Sequence, residues 1–452
     1  MSQAIHIPSR SQTAAAPPPH EHHHPEVAGI GRVPVGFFVA AVLFFSLGVS
    51  VLPFVVGDIA QYFYQPFPLA IVHTFTLGWI TATIMGVMYR YVPALTRTPI
   101  RSLRLAWAQL GIFVVGASGM VTHFAIGIWF GLWLAAIVVF ASILMFAWNI
   151  LPCLKGQFGR GVAETGIFLS ICFLIAAALL GMLLGMDKTY DFLGGSVLTN
   201  LSAHVHLAAV GWVTMAICAV SYRMLPAFVL PTIQLPASAK WQIYVMSAAV
   251  AGLVVSLLMQ SSVAPVFAIA MALAIVWYVA IIARMIRTRR MPLDWTPLHA
   301  IAGVVSLAAA IALGIALSFA GGDSELGARL APAYGAIGLL GFFSNFIIGM
   351  SYQLFPGIVG RTRTSAGWPP VTIAEISIPK PRLFVFAAFN IGVVVLAAGF
   401  LADAVDIARF GASLVAAGGI VYACITMWTL SFAFRPALPA SIAESPLRVL
   451  PG

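Results

Sequence analysis

The chain has 452 residues, of which 61% are hydrophobic and 8% charged, where an ordinary soluble domain carries roughly 25% charged residues. With a mean hydropathy of +1.01 no stretch is polar enough to be a water-soluble body, so lipid is the expected solvent. The formal net charge of +10 falls in short clusters between apolar runs, with no basic face or nucleic-acid motif, and nucleic acid is excluded as a partner.

Residues 1–30 are rich in Pro, Ala, Ser and His and lack a continuous apolar region. They read as a disordered cytoplasmic tail and not as a signal peptide. Its His20, His22, His23 and His24 form a tract that either binds a transition metal or is plain polar sequence. From residue 31 to 436, apolar segments recur that are long enough to cross a hydrocarbon core of about 30 Å. They fall near 33–56, 67–93, 105–129, 130–153, 162–185, 201–226, 239–262, 264–288, 297–320, 331–356, 381–402 and 407–434. The expected fold is an all-α membrane protein of twelve transmembrane helices, followed by a short tail over 437–452.

Twelve crossings put both ends of the chain on one side. All but three of the 23 Lys and Arg residues lie in the tails and in the loops of that same side, the exceptions being Lys188, Arg329 and Arg409. Cytoplasmic loops carry such an excess, so both termini are expected to be cytoplasmic in the cell (inner) membrane. Cys153, Cys172, Cys218 and Cys424 have no paired spacing.

The second segment reads HTFTLGWITATIMGVMYRYVP from His73, and the sixth reads HLAAVGWVTMAICAVSYRMLP from His206. His, Gly-Trp, Tyr-Arg and Pro coincide at one offset. The tenth segment, AIGLLGFFSNFIIGMSYQLFP from Ala336, keeps Gly341, Tyr352 and Pro356 but has alanine in place of the histidine. Self-similarity of this kind predicts three four-helix repeats around a pseudo-threefold axis along the membrane normal. Convergent helix endings, with Tyr at the interface and Pro as a terminator, are the alternative.

An ionisable residue inside a spanning helix is costly and marks a functional site. His73, His204, His206 and His123 fall in the outer half of the expected membrane, whereas His299 falls at the cytoplasmic end of the ninth segment. His204 and His206 are two residues apart, about 200° around a helix, so they address different pockets. A histidine pair from facing helices is how bundles hold a haem or a metal, and the repeat matches His73 with His206. Each histidine could instead bond a neighbouring carbonyl.

At these residues the sequence resembles subunit I of the haem-copper oxidase superfamily, nearest to the nitric-oxide reductase and C-type oxidase branches. The likeness spans the helical body. His73-Thr-Phe-Thr with Tyr89-Arg-Tyr-Val-Pro93 is similar to that family's second helix, and His204-Val-His206 with Gly211-Trp212 and Tyr222-Arg-Met-Leu-Pro226 is similar to its tenth. The resemblance implies a low-spin haem b held by His73 and His206, and a second haem on His204. It also implies electron transfer with reduction of a small gas such as oxygen or nitric oxide, an external redox donor, and a partner subunit.

The family places its His-x-His on the tenth helix, and here it stands on the sixth. The family's copper needs one histidine on one helix and a His-His pair on the next, which WQIYVMSAAVAGLVV and its neighbours do not supply; His123 is the spare outer-half candidate for a metal ligand. Apart from Glu164 at the end of the fifth segment, no Asp or Glu falls within the expected spans, which argues against proton pumping through carboxylate relays. Haem propionates would need outer-face cations, and Lys188, Arg329 and Arg409 are the Lys and Arg available there. A non-catalytic haem- or copper-handling protein, or a small-solute transporter, is the rival reading.

Overall fold

The computed structural model describes residues 31–439 except 323, together with residue 442. The histidine tract of the N-terminal tail and most of the C-terminal tail lie outside these residues.

Among the described residues, twelve helices are long and apolar enough to span a membrane, and the chain is an integral, multi-pass, all-α membrane protein. They are α1 (Arg32–Gln61), α2 (Pro66–Thr96), α3 (Leu103–Ile126), α4 (Trp129–Leu154), α5 (Val162–Tyr190) and α6 (Val197–Val229), then α7 (Ser238–Leu258), α8 (Ala264–Arg287), α9 (Trp295–Ala320), α10 (Glu325–Ser365), α11 (Arg382–Leu401) and α12 (Val405–Ser431). Each helix packs against the next, and α12 packs back on α1, so the chain closes into a ring. Each spanning helix bonds its backbone groups within itself, as a solvent without water requires.

The helices α2, α6 and α10 meet at the centre. The Trp79 indole of α2 donates to the Ser344 hydroxyl of α10 at 3.2 Å, and the Trp212 indole of α6 donates to the Thr81 hydroxyl of α2 at 3.1 Å. Each of these helices contains a π-helical stretch: Thr74–Thr81, Leu207–Thr214 and Ile337–Ser344. The three stretches begin one residue after His73, His206 and Ala336, the positions that the sequence repeat matches. π-Turns are rare and often mark functional sites.

The repeated tyrosines and prolines act otherwise than as helix endings. Pro93, Pro226 and Pro356 lie inside their helices, as spanning helices tolerate when neighbours re-satisfy the freed backbone groups. Tyr89, Tyr222 and Tyr352 are buried in the protein rather than placed at the interface. The Tyr89 hydroxyl donates to Gln109 of α3 at 3.2 Å, and the Tyr222 hydroxyl to Gln242 of α7 at 2.9 Å. The Ser221 hydroxyl pairs with Tyr278 of α8 at 3.0 Å, and Ser351 accepts from Tyr422 of α12 at 2.9 Å.

Candidate functional site

The π-stretch of α2 follows directly on His73, which lies about two turns in from the end of the bundle opposite the basic loops. The His73 ring stacks on Phe124 of α3, with centroids 4.6 Å apart. Its Nδ1 bonds the Leu69 carbonyl at 2.7 Å. A carbonyl only accepts, so Nδ1 carries the proton and Nε2 keeps its lone pair. A ligand histidine is commonly oriented in this way by a carbonyl behind it.

His206 has the same arrangement on α6, with Nδ1 bonding the Ser202 carbonyl at 2.7 Å. His204 is held differently. Its Nδ1 reaches across to the Ala177 carbonyl of α5 at 3.0 Å, and a Cβ at Gly181 would lie 2.7 Å from its ring. The run Ala176-Ala177-Ala178 and Gly181 thus give α5 the low profile that admits this imidazole.

The geometry therefore regroups the sequence-predicted residues. His73 faces α3, His204 faces α5, and α3, α4 and α5 pack in succession between α2 and α6. His206, about 200° from His204 on its helix, is turned away from α5. His73 and His204 thus both face the arc formed by α2 to α6, the candidate chamber.

His123 does not join them. Its Nδ1 bonds the Gly119 carbonyl at 2.7 Å, and its ring lies where a Cβ on Gly131 would sit, at the turn between α3 and α4. Phe124, the next residue, is the one that meets His73. His299, expected at an interface, is fully buried, with Nδ1 bonded to Asn345 Oδ1 at 2.7 Å. Asn345 in turn donates to Asn390 at 3.0 Å. Among the described residues, no group of three or more His, Cys, Asp or Glu side chains gathers as a metal site would.

The end of the chamber opposite the basic loops carries one cation. The Lys188 ammonium of α5 lies 4.2 Å from the Tyr64 ring centroid and 5.0 Å from that of Trp129. One helical turn along α4 from Trp129, the Trp133 indole N–H is buried without a hydrogen-bond partner among the described residues. Arg329, by contrast, pairs with Glu325 and Asp403, and Arg409 with Asp406. Lys188 is thus the cation on that face with no carboxylate partner among the described residues.

These features fit a haem: a histidine pair with Nε2 available, small residues on the intervening helix, and at the mouth a cation and an unpaired donor suited to carboxylates. Sequence reasoning named the histidines and Lys188 but missed Phe124, Gly181 and Trp133. The Ala-Ala-Ala and Gly pattern of α5 was the signal for a helix making room for a bulky neighbour.

No protein-family model and no curated protein matches the chain. Among solved structures it is similar to a heme-copper terminal oxidase from a dimeric assembly, with a TM-score of 0.55 at 14% identity, covering 92% of this chain and 86% of that one. The fold is that of the haem-copper oxidases.

Proposed function

We propose that the protein is a haem-binding, oxidase-like membrane protein that carries electrons through a low-spin haem b held between His73 and His204. The observation that carries this reading is that each imidazole has Nδ1 tied to a carbonyl, His73 on the α3 side and His204 against α5, which leaves both Nε2 atoms available. The oxidase fold supports it. A haem bound there supplies one-electron transfer; the chain supplies two fixed imidazoles and a wall of apolar helices that excludes water. Lys188 and Trp133 would hold the haem carboxylates.

His206, turned to the other side of α6, is the ligand available to a second haem, at which oxygen or nitric oxide would be reduced with electrons from an external donor. In this reading the protein lies in the cell membrane with the basic loops and both termini in the cytoplasm.

The test is a dithionite-reduced minus oxidised optical spectrum of the purified protein, with and without carbon monoxide. A low-spin b-type signal establishes the first site, and a carbon-monoxide shift adds an open haem at the second. A folded protein that takes up no haem overturns the reading.

A further inference from the structure

Two of the three repeated tyrosines have an acceptor. Tyr89 donates to Gln109 and Tyr222 to Gln242. Tyr352 is 5% exposed, and its hydroxyl has no hydrogen-bond partner among the described residues. Where the other two meet a glutamine, Tyr352 meets Arg382, whose guanidinium carbon lies 4.5 Å from the ring centroid.

The Tyr352 hydroxyl is not alone. Arg382 Nε and the Ser377 hydroxyl are also buried and unpartnered, and all three residues line one cavity with Ser351, Thr426 and Thr429. Burying polar groups unsatisfied costs about 1–3 kcal/mol each, so three around one cavity call for a common partner. Arg Nε–H only donates, and the two hydroxyls are free to donate. The partner must therefore accept several hydrogen bonds beside a positive charge, as an oxyanion does. The Asp294 carboxylate is engaged elsewhere: it accepts from the Thr296 N–H and from Gln353.

The cavity opens where α11 begins, on the basic face of the bundle, in the segment Pro379-Lys380-Pro381-Arg382. Leu383 and Phe384, directly after Arg382, are 62% and 49% exposed. Basic pockets between spanning helices on this face bind anionic head groups.

We propose that Arg382, Tyr352 and Ser377 form a binding site for a phosphate-type oxyanion, supplied either by the head group of an anionic phospholipid or by free phosphate. With a lipid, the phosphodiester occupies the cavity and the acyl chains run over Leu383 and Phe384. The site lies at α10 and α11, apart from the histidine chamber, and does not depend on haem.

The experiment is native mass spectrometry of the full-length, detergent-purified protein titrated with phosphatidylglycerol, with phosphatidylcholine and, separately, with inorganic phosphate. Wild type is compared with Arg382→Gln and Tyr352→Phe, the latter removing one hydroxyl while keeping the ring, and size-exclusion profiles verify folding. A preference for phosphatidylglycerol that falls about tenfold in Arg382→Gln and a few-fold in Tyr352→Phe supports the lipid source. Phosphate binding weakened in the same variants, with no lipid preference, supports the free anion. Equal retention of both lipids with no phosphate binding by folded wild type overturns the proposal and leaves water as the partner of the three groups.

Discussion

The Trp212 indole donates to the Thr81 hydroxyl across 3.1 Å, tying α6 to α2 at the centre of the ring. Trp79 makes the matching bond from α2 to Ser344 of α10. The matching position on α10 is Phe342, which has no N–H to give, and it is 1% exposed. Two sides of the central triangle are thus hydrogen-bonded, and the third lacks the indole N–H that would make the matching bond. Each indole bond contributes about 0.5–1.5 kcal/mol net, with the lower end typical of membrane interiors. Trp212→Phe and Trp79→Phe are expected to lower the thermal midpoint by a few degrees each, whereas Phe342→Leu, which removes no hydrogen bond, is expected to act through packing alone. Scanning fluorimetry of the three variants in one detergent measures this, and unchanged midpoints in both tryptophan variants would show that the bonds carry no stability.

The chamber assignment separates three histidines that a sequence motif cannot. His73→Ala and His204→Ala are expected to abolish the low-spin b-type absorbance, and His206→Ala to leave it in place. Haem-to-protein ratio by pyridine haemochrome, beside the reduced-minus-oxidised spectrum, is the measurement. Loss of the signal in His206→Ala with retention in His204→Ala would restore the pairing that the repeat alone suggests.

That pairing shows where sequence reading reaches its limit. All twelve spans were legible, because a spanning helix needs about twenty apolar residues and nothing in the pattern competed. Helix ends were less so. The tenth segment, expected over 331–356, runs Glu325–Ser365, since Pro356 and the charged turns beyond it stay helical. Motif alignment equates His73 with His206 by position, and in the proposed arrangement equivalent positions on two helices of a ring face successive chambers rather than one. In that arrangement the residue that shares the His73 chamber is the one on the other side of α6, His204. The proposal rests on the packing order of α3, α4 and α5, which the sequence does not give, and the unpaired Tyr352 likewise emerged only when its neighbours were in place.

Gly181 supplies a test of the chamber wall that touches no ligand directly. A Cβ there would stand 2.7 Å from His204 Cε1, closer than the ring can accept without moving off the Ala177 carbonyl. Gly181→Val is expected to cost about 1–3 kcal/mol by overpacking and to reduce haem occupancy, while Gly335→Val, at a glycine with open space around it, leaves occupancy unchanged. Equal occupancy in both variants would place His204 outside the haem site.

His299 gives the opposite contrast, a buried histidine with a structural part. It is bonded to Asn345, which also holds Gly341 and Asn390. His299→Leu removes the donor and leaves Asn345 Oδ1 unsatisfied, at about 1–3 kcal/mol. The expected outcome is a lowered thermal midpoint with an unaltered haem spectrum per folded molecule. A changed spectrum would bring His299 into the cofactor chemistry.

Lys188 bears on the redox behaviour of the proposed haem. Its ammonium sits at the chamber mouth between Tyr64 and Trp129, and the other two cations of that face, Arg329 and Arg409, are paired with carboxylates. A positive charge near a haem favours the reduced, less positive iron, so its removal lowers the reduction potential. Lys188→Gln is expected to shift the midpoint down by about 60 mV, the one-electron equivalent of roughly 1.4 kcal/mol, and Arg409→Gln to shift it far less. Potentiometric titration followed optically reads both. Because exposed charges are screened within about 10 Å at 0.1 M salt, the Lys188 shift should persist at high ionic strength only if the ammonium remains enclosed by its two rings. A shift that vanishes with salt would place that charge at the surface instead of over the haem.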